Sequence, residues 1–433
     1  YQLTMLQSYV DGDMHGEAVF ELFVRRLPEK RNFLIAAGLA QLVDYLERLR
    51  FTSEDVAALE KTGLFHDRFL GWLEELRFTG DVDAMPEGTI FFPNEPIVRV
   101  TAPLPQAQLV ESRLINLLHF QTMIASKAAR FVLAAGGAAL IDFGMRRAHG
   151  AEAAMLAARA SYLSGFAGSA TVVAHPLFGI PVFGTMAHSY IEAHDSEVRA
   201  FERFALGHRG AIVLLIDTYD TEKGAERVVR LAEKLAPEGI EISSVRIDSG
   251  DIRELARRVR AILDRAPGTR IGILASGGID EADVERLLRD GTPVDGFGIG
   301  TALDASTDAP SLDCAYKLQE YGGRARAKRS PGKATLPGRK QVYRRYDAGG
   351  RLSRDVVTVL GDEQPGEPLL TPVVRNGRTV GALPELDAIR ARVRDGLERL
   401  PDALRSLSRG SDYPVDVAPA LRALADEVGS RAE

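Results

Sequence analysis

The sequence predicts an α/β protein whose middle is a parallel array of strands and helices. Three observations carry that reading. Between about residues 110 and 305, short apolar runs are each followed by a helical stretch, the rhythm of strand–helix units. Several of the runs are apolar almost throughout, as strands buried on both faces are. Their last residues are Gly-rich, charged or hydroxylated, at the edge where such folds keep their chemistry.

Taken in order, residues 33–49 (FLIAAGLAQLVDYLERL) space apolar side chains as a helix does. Residues 88–101 (GTIFFPNEPIVRVT) read as short strands around Pro93 and Pro96. The first 110 residues therefore look like α+β structure. The central runs are 139–144, 171–174, 181–184, 211–217, 242–248, 270–276 and 294–300, in a unit spanning 111–310 and either open or closed into a barrel. The remainder, 311–433, holds a basic stretch punctuated by Gly and Pro, strands at 341–346 and 356–360, and a helical tail from about 384.

At 433 residues with 26% charged and 45% apolar side chains, the chain has material for two or three domains and is not disordered. Lys plus Arg number 54 against 60 Asp plus Glu, for a net charge of −6, which argues against a protein that coats nucleic acid. The charge is uneven. Only nine of the 54 cations are Lys, and four of those nine (Lys317, Lys328, Lys333, Lys340) lie in one stretch. Residues 317–346 carry ten basic side chains against Glu320 alone, so a +9 strip sits on a −15 body. A single cysteine, Cys314, excludes a disulfide framework and a Cys-based zinc site. No apolar run reaches the roughly 18 residues of a membrane span. The sequence begins at Tyr1 without an initiator Met, so a few residues are expected upstream; no cleavable signal is read, and a cytoplasmic location is expected.

The strand ends carry the candidate chemistry: Asp142–Arg146 (DFGMR), Gly184–Ser189 (GTMAHS), Asp217–Asp220 (DTYD), Arg246–Asp251 (RIDSGD), Ser276–Gly278 (SGG) and Gly298–Thr301 (GIGT). Glycine lets backbone N–H groups approach an oxyanion, and a following helix N-terminus adds favourable partial charge. An ordinary turn uses Gly equally well, and no Walker A pattern is present. His188 closes an apolar run before a helical stretch that Ser189 is placed to cap; a general base, a nucleophile and a packed structural residue all fit that position. Asp217, Asp220, Asp248 and Asp251 suit ribose hydroxyls or a phosphate-bound Mg²⁺, and equally suit helix N-caps. Arg246 and Asp248 are two apart on a strand and share a face. His149, His175 and His194 lack metal-ligand spacing. The lysines form either a solvated loop, a nucleic-acid patch or a set of point charges for a flexible polyanion such as a diphosphate. Interleaved aromatics, which a nucleic-acid platform needs, are sparse there.

Together these segments resemble the nicotinate phosphoribosyltransferase family. The resemblance rests on Tyr1–Met5 (YQLTM), Phe20–Pro28 (FELFVRRLP), the six strand ends and Lys328–Arg344 (KRSPGKATLPGRKQVYR), covering about residues 1–345. It implies an irregular α/β barrel with an open-faced α+β sandwich domain built from both chain ends, working as a homodimer with shared active sites. It implies transfer of phosphoribose from 5-phosphoribosyl 1-diphosphate (PRPP) to nicotinate in NAD salvage. ATP and Mg²⁺ take part, with ATP hydrolysis passing through a phosphohistidine.

By the same resemblance His188 is the phosphohistidine, catalytic together with Arg246 and Asp248, which hold the ribose and diphosphate. Phe143 stacks on the pyridine ring, with Tyr1 of the partner subunit on its other face, and Arg146 pairs with the carboxylate. Ser169 and Thr185 bind substrate, and Asp217 lies with Asp248 near the magnesium. Gly278, Gly300 and Thr301 cradle the 5′-phosphate. Arg25, Lys317, Lys328 and Lys333 face the diphosphate. Nicotinamide-using relatives carry Asp where this chain has Ala170, so nicotinate is the expected substrate. Many members carry Asp where Gly278 stands, and the last 80 residues match no nameable motif. The alternatives are nicotinamide transfer, decarboxylating transfer to quinolinate without ATP, and a non-catalytic nucleic-acid-binding or regulatory protein using the 317–346 strip.

Overall fold

Six parallel strands organise the middle of the chain, as the apolar runs require. In chain order they are β1 (Ala139–Asp142), β2 (Gly168–Ser169), β3 (Ile212–Leu215), β4 (Ile242–Ile247), β5 (Gly272–Ala275) and β6 (Gly296–Ile299). They lie side by side as β2-β1-β6-β5-β4-β3, every neighbour parallel, in a sheet that curls into half a barrel. The computed structural model describes residues 1–266, 270–328, 330 and 335–430. It comprises two compact units, one of residues 127–310 and one of residues 1–126 with 311–433.

In the central unit, helices follow the strands as α/β architecture requires. Thr221–Leu235 follows β3, Ile252–Leu263 follows β4 and Glu281–Arg289 follows β5. Each starts on an Asp N-cap whose carboxylate accepts a backbone N–H: Asp220 from Lys223, Asp251 from Glu254 and Asp280 from Asp283. Their apolar stripes face inward through Val228 and Leu231, Val259 and Ile262, and Val284 and Leu287.

Two of the expected strands take other forms. Residues 171–174 form a turn that leads into the short helix Ala174–Phe178; the strand lies just before, at β2. Val172 and Val173 are exposed there, because a four-residue apolar run carries no period that distinguishes a buried strand from a turn. Residues 181–184 contribute only one bridge, Ser169 with Val182.

The other unit draws one seven-stranded antiparallel sheet from both ends of the chain. Its order is Arg324–Ala325, Cys314–Tyr321, Glu17–Val24, Val98–Pro103, Asp81–Ala84, Thr371–Arg375, Arg378–Thr379. Glu17–Val24 is an interior strand, buried along nearly its whole length and paired with Cys314–Tyr321 on one side and Val98–Pro103 on the other. A second sheet pairs Lys340–Tyr346 with Leu352–Val359, which also pairs in parallel with Val415–Val417. The tail is therefore not wholly helical: this strand separates the helices Leu386–Arg399 and Pro419–Ser430. Among the described residues, no helix is long and apolar enough to cross a membrane.

Candidate active site

The strand ends of the central unit come together as a polar rim. Arg246, near the end of β4, donates through Nη2 to the Met186 carbonyl at 2.9 Å and through Nη1 to Asp248 Oδ1 at 3.4 Å. Burial lowers the pKa of its guanidinium, opposed by Asp248 and Asp217 and reinforced by the like charge of Arg146. Its Nε is buried with no hydrogen-bond partner. Asp248 also accepts the Ser276 hydroxyl. Asp217 Oδ2 takes the Asp248 N–H at 2.9 Å and the Ser249 hydroxyl at 2.6 Å, while its Oδ1 is buried and unpartnered. A carboxylate oxygen and a guanidinium nitrogen thus keep unused capacity in one place.

His188 is held by its approach. Thr185 donates to the Val213 carbonyl at 2.9 Å, and the next residue, Met186, gives its carbonyl to Arg246, which pins the chain two residues before the histidine. The ring lies with Nδ1 3.1 Å from Thr218 Oγ1 and Nε2 3.9 Å from Asp248 Oδ2. A threonine hydroxyl serves either tautomer, accepting from a protonated Nδ1 or donating to a bare one. The helix here starts at His188 itself with Ala187 as N-cap, so Ser189 lies inside the helix and does not cap it.

Phe143 and Arg146 occupy the turn after β1. Asp142 is fully buried; its Oδ1 accepts the Gly144 N–H at 2.8 Å and its Oδ2 the Ser169 hydroxyl at 2.6 Å. Ser169 is thereby committed to shaping the turn. The Phe143 ring lies directly on Gly298, where a Cβ would stand 2.4 Å from the ring. Gly277 is equally constrained: its φ of +96° and the Asp248 carbonyl, 1.9 Å from a Cβ position, both demand glycine. Gly278 has left-handed backbone and open space around it. A cavity of about 460 Å³ opens beside these ends, lined by Gly250, Gly277, Gly278, Arg253 and Arg286 among others. Gly300 caps the one-turn helix that begins at Thr301.

The four strand-end aspartates therefore divide. Asp220 and Asp251 are helix caps, and Asp217 and Asp248 face the rim. His175 and His194 bond neighbouring carbonyls, of Ile180 and Tyr190. Sequence reasoning passed over Thr218 and Ser276 as individuals, although both stand in the quoted strand ends, and it passed over Asp304 altogether.

The remaining candidates belong to the other unit. Arg25 pairs with Asp313 at 2.9 Å and keeps a buried Nε unpartnered. Lys317 stands 4.0 Å from Glu111, and the exposed Lys328 is tied through its backbone to Thr335. Tyr1 is 71% exposed. Lys333 lies outside the described residues. Lys340 is not a free point charge: it is buried, bonded to Glu21, Gln319 and the carbonyls of Leu336 and Gly338. Burial lowers its pKa, opposed by Glu21. Arg344 is likewise committed to Asp355, and Arg339 to Glu17 and Glu320. Part of the +9 strip is thus internal ion pairing.

Residues 1–119 match the nicotinate phosphoribosyltransferase N-terminal domain, 138–325 the nicotinate phosphoribosyltransferase family, and 366–425 its C-terminal domain. The chain belongs to the nicotinate phosphoribosyltransferase family. The last match covers the region that carries no motif recognisable by eye. The chain is 49% identical to nicotinate phosphoribosyltransferase pncB2 of Mycobacterium tuberculosis, over 96% of this chain and 90% of that one. It is 36% identical to the Bacillus subtilis nicotinate phosphoribosyltransferase, over 96% and 91%. The human nicotinic acid phosphoribosyltransferase crystal structure superposes with a TM-score of 0.88 at 29% identity, covering 99% of each chain.

Proposed function

We propose that this family member joins nicotinate to the phosphoribosyl group of PRPP, releasing diphosphate, with ATP hydrolysis coupled through phosphorylation of His188. The observation that carries the reading is the meeting of His188, Asp248 and Arg246 on one rim, with buried polar atoms of Arg246 and Asp217 left unpartnered there. Loss of diphosphate from the ribose builds oxocarbenium character at C1 and negative charge on the leaving group. Arg246 and the Arg25, Lys317 and Lys328 cations suit the leaving group, and Asp248 suits the ribose. Gly278, Gly300 and Thr301 suit the 5′-phosphate. The orphaned Oδ1 of Asp217, with Asp248, fits a magnesium ion arriving on the diphosphate, which when bound neutralises charge on the leaving group. Thr218 holds the His188 ring at Nδ1, and Asp248 stands beside Nε2.

Nicotinate rather than nicotinamide is favoured by Ala170, whose N–H is bonded to the Asp142 carbonyl beside the Phe143 turn. A carboxylate at that position would accept from a carboxamide and repel a carboxylate. Arg146 offers a planar fork for the nicotinate carboxylate. The exposed Tyr1 is available to complete the pyridine pocket of a second subunit, in keeping with a homodimer.

The test is to supply PRPP and Mg²⁺ with nicotinate, nicotinamide or quinolinate, each with and without ATP, and to identify the mononucleotide by chromatography. Nicotinate mononucleotide, formed faster with ATP, is expected. Turnover of nicotinamide with none of nicotinate would overturn the reading.

A further inference from the structure

Asp304 closes the one-turn helix after β6, and its carboxyl is buried to 1% exposure against the Cα of Gly144. No N–H or hydroxyl reaches either of its oxygens, and the carboxyl it faces is that of Asp142. Two carboxyl groups are thus buried side by side. The charged side chains on the neighbouring elements are Arg146 and Arg147 on the turn, both exposed, and, on the helix Ala151–Ser164, Arg159, which lies over the Phe178 ring, and the exposed Glu152. The charge acting on Asp304 is that of Asp142.

We infer that Asp304 is a positioning residue for the pyridine end of the site: as a neutral acid it donates to Asp142 and so fixes the 142–146 turn that presents Phe143 and Arg146. The hydrogen bonds decide which partner keeps the proton. Burial raises the pKa of Asp142 too, but Asp142 accepts from Ser169 Oγ and Gly144 N–H, which pull it back down, while Asp304 accepts from no such donor and is the one left to carry the proton. Burial, then the Asp142 charge, push the Asp304 carboxyl up to about 9. Deprotonation would set two anions against one another beneath Gly144 and release the turn.

The functional half of this inference rests on the proposed nicotinate chemistry; the proton itself does not. A carboxyl with a raised folded-state pKa stabilises fully below its unfolded value, and that stability is lost as pH rises through about 9. Urea unfolding of the full chain between pH 5 and 9 therefore reads it directly. Relative to Asp304→Asn, which donates without titrating, the wild-type folded-to-unfolded ratio is expected to fall by up to about tenfold per pH unit. Parallel slopes for the two proteins would overturn the proposal, whatever the substrate.

In the kinetic arm, Asp304→Ala is expected to raise the nicotinate KM about tenfold with the PRPP KM unchanged, and Asp304→Asn to restore it. Equal nicotinate KM values in wild type and Asp304→Ala would overturn the positioning role. No nicotinate turnover in the wild type would sink the functional reading alone, and the unfolding slopes would still decide the proton.

Discussion

Nε2 of His188 stands 3.9 Å from Oδ2 of Asp248, while the other carboxylate oxygen of Asp248 is engaged by Arg246 and Ser276. The carboxylate is thus fixed on one side and turned to the imidazole on the other. The ring is thereby given one orientation, with Nδ1 toward Thr218 and Nε2 toward Asp248.

Replacing His188 by Ala should therefore abolish nicotinate-dependent ATP hydrolysis and leave phosphoribosyl transfer running about 10²-fold slower. Phosphate release and mononucleotide formation, followed in the same reaction, check both halves. ATP hydrolysis that persists in the variant would remove the phosphohistidine role.

Ala170→Asp places a carboxylate beside the turn that carries Phe143 and Arg146. The expected result is a loss of about 100-fold in kcat/KM for nicotinate, from like-charge repulsion, and a relative gain for nicotinamide. Competition between the two substrates in one assay measures the switch.

Gly298→Ala tests how Phe143 is placed. A Cβ there would lie 2.4 Å from the ring, so the ring must leave its seat. The nicotinate KM is expected to rise about tenfold with the PRPP KM unchanged. A thermal melt separates this effect from loss of the fold.

The two lysines at 328 and 340 should part company. Lys340→Ala strands the buried Glu21 carboxylate and is expected to cost about 3–5 kcal/mol of stability, read by denaturant unfolding. Lys328→Ala removes an exposed cation; it should leave stability unchanged and raise the PRPP KM.

Much of the rim was legible in the sequence because its constraints are local. Gly277, Gly278, Asp217, Asp248 and Arg246 sit at the ends of apolar runs, and a strand end brings its residues to one edge whatever the rest of the chain does. Lys340 misled because its burial depends on Glu21, some 320 residues earlier, and no local pattern announces that pairing. The 171–174 run misled for the opposite reason, being too short to carry a period. Asp304 was invisible: in the run Thr301-Ala302-Leu303-Asp304 it reads as one more surface acid, and only the turn of β1 beneath it shows otherwise.

The pairing of Glu17–Val24 with Cys314–Tyr321 has a consequence for synthesis. Val24 leaves the ribosome about 290 residues before its partner Cys314, a wait of roughly 15–60 s at usual elongation rates. During that interval this interior strand of the seven-stranded sheet has one open edge, and the whole 127–310 unit emerges before the partner does. The nascent chain must therefore keep a long, apolar strand from pairing elsewhere until its last third arrives, so the edge is exposed to mispairing for most of synthesis.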